Sequence, residues 1–184
     1  NFYPSIRYQK VYNLFRGQDC SPDVARLFTL LTTRDHVLPL GTSTSPFLAD
    51  QIVCGIDRRI GGLARRHGLT YTRYVDDVTL SGRFDLADIA DVIIAIINQA
   101  GFAVKRSKID FYRPGDGKER IITGVKVEKG KVFAPSTYVE FLRRELIRAG
   151  KASRHEQVDE DFDMRDQYRG KIGYVMWLDP AQGM

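Results

Sequence analysis

The sequence has few cysteines and no long apolar run. Its two cysteines, Cys20 and Cys54, are far apart, and Cys54 lies in the apolar stretch QIVCGID. This usage predicts two reduced, mostly buried thiols rather than a disulfide framework or a metal site. The longest apolar run, VIIAII, is far shorter than the roughly 20 residues that a membrane span needs, and no signal-peptide pattern opens the chain. We therefore expect a soluble, cytoplasmic protein.

Acidic residues are outnumbered by basic ones. The chain carries 28 Lys and Arg against 23 Asp and Glu, which gives a net charge of +5 and a pI of about 9.2. A content of 43% hydrophobic and 28% charged residues is typical of a folded core and excludes a disordered chain. The excess charge is compatible with a polyanionic partner, although charge alone does not identify one.

Two helices are predicted early in the chain. The first follows Ser21 as its cap, with Pro22 at the first helical position. The second is expected to be capped by Ser45, to begin at Pro46 and to end at Gly68. Its apolar residues share one face, and they are Leu48, Ile52, Ile56, Ile60 and Leu63. Because Gly55, Gly61 and Gly62 would each weaken this helix by up to about 1 kcal/mol, we expect close packing against a neighbour to compensate.

The remaining elements alternate between strands and helices. LTYTRY and VTLSG are rich in β-branched and aromatic residues and predict a hairpin, and KIDFYR, RIITGVKV and KVFAP predict further strands. A third helix is predicted to open at Asp85 as its cap and to be stopped by Asn98 to Gly101, and STYVEFLRRELIRAGK and GKIGYVMWL are predicted to be helical. This order predicts an α+β fold, an antiparallel sheet with helices packed on one face.

Two adjacent carboxylates, Asp76 and Asp77, lie where the predicted hairpin turns. One interpretation is an ordinary tight turn, because aspartate tolerates turn geometry. However, favoured two-residue turns use Asn-Gly or Asp-Gly, and two neighbouring carboxylates repel each other with only Arg73 close by in sequence to offset them. A divalent cation would offset them better, since Mg²⁺ takes one or two carboxylates together with substrate phosphates. The second interpretation is therefore metal-dependent phosphoryl transfer.

The sequence around these carboxylates resembles a known enzyme family. YVDD resembles the Tyr-x-Asp-Asp box of reverse transcriptases, and YTRYVDDVTLSG resembles the bacterial retron and group II intron branch. The family's palm motifs recur in order, with NFYPSI similar to the end of the first, LPLGTSTSPFLAD to the second, GFAVKRSK to the fourth and IITGVKV to the Val-Thr-Gly strand of retron enzymes. GKIGYVMWLDP resembles the family's thumb.

The resemblance also implies a domain organisation. Residues 1–137 would be the palm, with its N-terminal part cut off, and residues 138–184 the connection and a small helical thumb. The family's fingers, which precede the palm, are expected to lie outside this sequence. So is the Asp that begins the first palm motif, two residues before Asn1.

The resemblance implies roles for five residues. Asp76 and Asp77 would be the catalytic ligands of two Mg²⁺ ions, for which Mn²⁺ is an alternative. Tyr3 would lie under the incoming deoxyribose and select deoxynucleotides, Gly41 would let the backbone approach the nucleotide, and Lys108 would place a charge, or a general acid, near the departing pyrophosphate. The alternatives are a core aromatic for Tyr3, a loop glycine for Gly41 and a solvated lysine for Lys108.

Two residues depart from the family pattern. Leu40 stands where the family usually has Gln, and Lys105 stands where retron enzymes usually have Asn. These differences bear on nucleotide preference and on membership of the retron branch more than on the fold.

The resemblance predicts an RNA-directed DNA polymerase of a bacterial retroelement. A retron-like enzyme would transfer deoxynucleotides (dNTPs) to a primer along a structured RNA template, act in anti-phage defence with an effector protein as a candidate partner, and have no membrane contact. One alternative is a group II intron-type or abortive-infection reverse transcriptase. Another is a non-catalytic nucleic-acid-binding module of the same fold, which a residue other than Asp two positions before Asn1 would favour.

Overall fold

The computed structural model describes residues 2–83, 85–152 and 161–180, without the side chains of residues 151, 152 and 161–164. The chain divides into two compact units, Asn1–Phe111 and Tyr112–Met184. Seven helices and two small antiparallel sheets among the described residues confirm the predicted α+β class. The helices and strands of the first unit are α1 (Phe2–Ser5), α2 (Tyr8–Arg16), α3 (Pro22–Thr32), α4 (Ser45–Arg66), β1 (Thr70–Tyr74), β2 (Asp77–Ser81) and α5 (Ala87–Gln99). Those of the second unit are β3 (Ile121–Ile122), β4 (Val125–Glu128), β5 (Lys131–Phe133), α6 (Ser136–Ala152) and α7 (Asp161–Leu178).

The long helix α4 organises the core of the first unit. Near its N-terminus, Leu48 and Ala49 pack in a cluster with Ile6 and Val11. Farther along, Val53, Ile56 and Ile60 pack against Ile96 of α5. The predicted apolar face of α4 is therefore the face that the neighbouring elements cover. Helix α2, which contributes Val11 to this core, was not among the predicted helices.

The predicted helix caps have different outcomes, and the Asp85 carboxylate accepts a hydrogen bond from the N–H of Ala87, the first residue of α5. Ser21 accepts a hydrogen bond from the backbone N–H of Val24, which confirms it as the cap of α3. The prediction for Ser45 was wrong, because α4 begins at Ser45 itself and the preceding Thr44 makes no side-chain capping bond. The Ser45 hydroxyl is fully buried and lies 2.7 Å from the Thr42 hydroxyl, so a neighbouring loop residue satisfies it.

The predicted hairpin of β1 and β2 is confirmed. The strands pair antiparallel from Thr70 opposite Ser81 to Tyr74 opposite Asp77. Only Val75 and Asp76 remain as the turn. Exposure alternates along β1, with Tyr71 and Arg73 half-buried between exposed neighbours. The hairpin thus packs one face inward and carries both candidate carboxylates at its tip.

The second unit corrects two strand predictions. RIITGVKV is not one strand, because Thr123 and Gly124, with φ of 46° and 85°, form a two-residue turn between β3 and β4. Positive φ at both central residues is typical of a hairpin turn. KIDFYR, at residues 108–113, contains no strand, and no described strand pairs with it. Instead of one sheet, the described residues form a two-stranded and a three-stranded sheet.

The two C-terminal helices were predicted correctly. α6 and α7 pack through a small core of Ala134, Leu142 and Val175, beside which the Tyr138 and Tyr174 rings meet edge to face. Among the described helices, none has the length and apolarity needed to cross a membrane. Cys20 and Cys54 are free and half-buried.

Candidate catalytic hairpin and nucleotide site

The structure places the two candidate metal ligands at the tip of the first hairpin. Asp76 is the second turn residue and Asp77 the first residue of β2, and both side chains are exposed. Within the part of the chain that the structure describes, no Lys, Arg or His nitrogen lies within 4.0 Å of either carboxylate. The described residues also contain no cluster of three or more His, Cys, Asp or Glu suited to a metal. The site therefore presents two neighbouring negative charges that no described cation offsets.

The turn that carries them is strained at Val75. Its φ is 55°, in the left-handed region. A β-branched residue is rare there, and such a conformation costs about 1–3 kcal/mol unless the surroundings impose it. Because Val75 and not Asp76 has a positive φ, the turn follows the type II′ pattern, whose first position normally takes glycine. The strain indicates that contacts outside the turn hold it.

Arg73 supplies those contacts. Its Nη1 donates to the Val75 carbonyl oxygen at 2.8 Å. Its Nε and Nη2 each donate to one oxygen of Asp57 on α4, both at 2.8 Å, and Nη2 also donates to Asp50. The Arg73 side chain is only 13% exposed. The guanidinium therefore links the strained turn to two carboxylates that lie about two turns apart on the same helix.

Arg73, the cation close in sequence to the two turn carboxylates, pairs with neither of them. The guanidinium is occupied by Asp50 and Asp57, and Asp57 also accepts a hydrogen bond from the Tyr71 hydroxyl at 2.6 Å. Because the acids of α4 neutralise Arg73, the charges of Asp76 and Asp77 remain available for a ligand.

The charge states of Asp57, Tyr71 and Arg73 favour the link between the hairpin and α4 at neutral pH. Partial burial raises the pKa of Asp57, but hydrogen bonds from Arg73 and Tyr71 and the guanidinium charge outweigh it, so the net pKa is lowered. Partial burial and the bond to Asp57 raise the pKa of Tyr71. The hydrogen bond to Asp57 raises the pKa of Arg73. The carboxylate and guanidinium therefore stay charged, and the phenol neutral, through the neutral pH range.

Sequence reasoning missed Asp50 and Asp57. Their spacing of seven residues places them on one face of α4, and Tyr71 and Arg73, two residues apart, share one face of β1. Each pattern is visible in the sequence. Which helix packs beside the hairpin is not, and so the pairing could not be predicted.

Tyr3 and Gly41 lie in neighbouring segments. Tyr3 is half-buried on α1 and packs against the cluster that contains Ile6 and Leu48. The Leu38 N–H donates to the Ile6 carbonyl at 2.9 Å, which fixes the start of the segment that leads to Gly41. Gly41 has φ of 91°, and a Cβ built there would meet no atom within 4 Å. The backbone conformation, rather than crowding, explains the glycine.

Lys108 is the least connected of the five candidates. It ends a short 3₁₀ turn, Arg106–Lys108, and its side chain is exposed. The segment before it is anchored by Phe102, whose ring lies 5.9 Å from that of Phe2. No described hydrogen bond or ion pair joins the Lys108 side chain to the hairpin. The structure thus ties the hairpin and the Tyr3 and Gly41 segments to α4, and the roles of all five residues remain predictions.

Comparison with known proteins identifies relatives of the chain. It is 30% identical to the Retron Mx65 reverse transcriptase of Myxococcus xanthus, over 99% of this chain and 45% of that protein. It is 28% identical to the Retron Ec86 reverse transcriptase of Escherichia coli, over 97% of this chain and 53% of that protein. This chain is related to the retron reverse transcriptases. It spans about half the length of these relatives, and no family model matches it.

The relation to reverse transcriptases implies a divalent metal ion, and the residues present fit one. Asp76 and Asp77 are adjacent and exposed, and Arg73 is held by other acids. Mg²⁺ needs only one or two protein carboxylates when substrate phosphates complete its coordination. Two carboxylates without a competing cation match that requirement.

Proposed function

We propose that this chain is part of an RNA-directed DNA polymerase of a bacterial retroelement, a retron-like reverse transcriptase that transfers deoxynucleotides to a primer. The observation that carries the proposal is the Asp76–Asp77 pair, which no described cation neutralises and which sits on a strained turn held by Arg73. The relation to retron reverse transcriptases over nearly the whole chain supports it.

In this proposal each candidate residue has one task. Asp76 and Asp77 hold Mg²⁺, which when bound supplies positive charge to the attacking and leaving oxygens of the phosphoryl transfer. Tyr3 excludes the 2′-hydroxyl of a ribonucleotide, and Gly41 leaves room for the backbone to approach the nucleotide. Lys108 places a positive charge near the pyrophosphate. Arg73 acts through Val75 and fixes the direction in which the turn presents its carboxylates.

The proposed partners follow from the same reaction. They are a structured RNA template, a DNA primer and product, and dNTPs. A role in anti-phage defence, an effector protein and a cytoplasmic location belong to the proposal by analogy with the retron family.

Replacing Asp76 by Asn in the full-length protein tests the proposal. Loss of a metal ligand removes several kcal/mol of transition-state stabilisation, so Mg²⁺-dependent primer extension on an RNA template should fall by about 1000-fold or more. RNA binding should remain, because phosphate contacts elsewhere supply most of the affinity. Both are measured with a labelled primer annealed to a template RNA.

The matched control is Asp19→Asn, which removes an exposed carboxylate from the same unit and should extend the primer like the wild type. Extension by Asp76→Asn at the wild-type rate would refute the metal role. A wild-type protein that binds RNA but extends no primer would instead support the non-catalytic nucleic-acid-binding module.

A further inference from the structure

Between residues 55 and 66, helix α4 presents a face made only of arginine and glycine, on which all four arginines are exposed. We call it the arginine face, and its residues are Gly55, Arg58, Arg59, Gly62, Arg65 and Arg66. Their spacings of three, four and seven residues follow the helical repeat, so the six lie along one side of the helix. The buried residues Val53, Ile56, Ile60 and Ala64 lie on the other side.

No described carboxylate neutralises the charges of this face. All four arginines are exposed, and within the described ranges no carboxylate oxygen lies within 4.0 Å of their guanidinium nitrogens. Arg59 donates to the Gln99 side-chain oxygen at 2.7 Å, a neutral partner. The helix dipole explains cations at Arg65 and Arg66 in the last turn. It does not reach Arg58 and Arg59, which lie about two turns earlier.

The glycines of this face have no packing explanation. Close packing was expected to compensate for three glycines, and only Gly61 packs against a neighbouring element. Gly61 is buried, and a Cβ there would lie 3.8 Å from the Tyr71 ring. A Cβ at Gly55 would meet no atom within 4 Å, and one at Gly62 would meet only the Arg65 side chain, at 4.0 Å. Since glycine is unfavourable inside a helix, the exposed Gly55 and the half-buried Gly62 are not explained by the core, and they leave the helix backbone accessible to a group from outside this unit.

We propose that the arginine face binds the sugar–phosphate backbone of an RNA, with Gly55 and Gly62 allowing the strand to lie close to the helix between the arginine side chains. The proposal rests on the proposed function, which supplies RNA as the partner. The planar guanidinium groups match phosphate oxygens in pairs. The six positions carry no apolar side chain that would insert into a lipid bilayer or anchor a protein partner, so the chemistry favours nucleic acid.

The test uses the full-length protein with a fluorescein-labelled RNA hairpin that has single-stranded flanks, in a series of KCl concentrations. The variant replaces all four arginines of the face, positions 58, 59, 65 and 66, by Gln. Four lost phosphate contacts should reduce the slope of log affinity against log salt by about 3. The matched control replaces four other exposed arginines of the same unit by Gln, Arg7, Arg16, Arg26 and Arg34. It removes the same charge and should change the slope by less than about 1.

A second variant separates binding from folding. The double substitution Gly55→Ala and Gly62→Ala should raise the thermal midpoint, because alanine favours the helix and restricts the unfolded chain. The same variant should bind the RNA more weakly, because its methyl groups occupy the space proposed for the strand. A rise in stability with a loss of affinity cannot come from damage to the fold.

Equal salt slopes for the two arginine variants would overturn the proposal. The proposal would also be overturned if the variant without the four arginines of the face lost binding to phosphatidylserine vesicles but bound the RNA like the wild type. Wild-type primer extension is measured in parallel, which keeps the two proposals separate. If RNA binding depends on the arginine face but the wild type extends no primer, this inference is supported and the polymerase proposal is contradicted. If the wild type extends primers but the salt slope does not depend on the face, the polymerase proposal is supported and this inference is contradicted.

Discussion

At the scale of single residues, the hydrogen bond from Arg73 to Val75 is the contact that holds the hairpin turn. Val75 adopts a φ of 55° that its branched side chain disfavours. A strained residue persists only where its surroundings impose the conformation, and here the Arg73 guanidinium holds the Val75 carbonyl while two acids of α4 hold the guanidinium. The direction of the neighbouring Asp76 is therefore set by a side chain that does not itself belong to the proposed metal site.

We expect Arg73→Lys to impair both stability and catalysis. Lysine cannot bond both oxygens of Asp57 and also reach Val75, so the free energy of unfolding should fall by about 2 kcal/mol. A shift of the turn on the order of 1 Å should lower the rate of primer extension by about 100-fold. Urea melts and single-turnover extension with the full-length protein measure the two effects.

Arg26→Lys, at an exposed position of α3, is the control and should leave both quantities unchanged. If Arg73→Lys extends primers at the wild-type rate, Arg73 does not position the turn. The Michaelis constant for the primer–template should stay within about twofold, because positioning acts on the chemical step rather than on binding.

At the scale of elements, the hairpin and α4 are joined by a polar contact as well as by packing. Tyr71 packs in the clusters that contain Ile60 and Leu69, and its hydroxyl reaches Asp57. The pKa of Asp57 is lowered from its ordinary value of 3.8. A lowered pKa in the folded state means that the carboxylate stabilises the fold above its unfolded pKa, and that this stabilisation is lost as pH falls through the folded value.

Because the pKa of Asp57 is lowered, the difference in stability between the wild type and Asp57→Asn should depend on pH. Near pH 7 the variant should unfold with a free energy lower by about 2 kcal/mol, because it loses a charged partner of Arg73. Below the unfolded pKa of about 4 the unfolded chain takes up a proton at this carboxyl while the folded carboxylate, whose pKa is lowered, stays charged, so the difference between the two proteins should shrink as pH falls toward the folded pKa. Thermal melts between pH 7 and pH 3, with Asp19→Asn as the control, measure this. A difference that stays constant over the range would exclude the ionic link.

At the scale of the whole molecule, the division of the chain differs from the one that the motifs imply. The sequence predicts a palm that ends at residue 137, and this assignment remains a prediction. The compact units divide after Phe111, which groups β3, β4 and β5 with α6 and α7. Glu119 supports the grouping, since it pairs with Lys126 at 3.2 Å and accepts a hydrogen bond from the Ser136 N–H at the start of α6.

Leu142→Ala tests which elements unfold together. Removing this buried side chain of α6 should cost about 3 kcal/mol and should raise amide hydrogen exchange in β4 and β5 together with α6. Exchange in β1 and β2 should change little. Ile60→Ala, in the core of the first unit, should give the opposite pattern. Faster exchange in β1 and β2 than in β4 and β5 after Leu142→Ala would contradict the grouping.

The sequence by itself determined the features that depend on nearby residues. The Ser21 cap, the apolar face of α4, the hairpin at Val75-Asp76 and the two C-terminal helices follow from propensity and periodicity. The order of the short motifs also indicated the reverse transcriptase family, because those residue types recur at fixed places along such a chain.

Only the tertiary structure decided which distant residues meet. Arg73 bonds to Asp57 and Asp50, 16 and 23 residues away, and no local pattern specifies those partners. KIDFYR has the pattern of a strand but pairs with no described strand, and the exposure of Gly55 depends on what packs against α4. The physical reason is that local conformation follows from the chain's own sterics and hydrogen bonds, whereas ion pairs, sheet partners and exposed faces depend on which elements the packed core brings together.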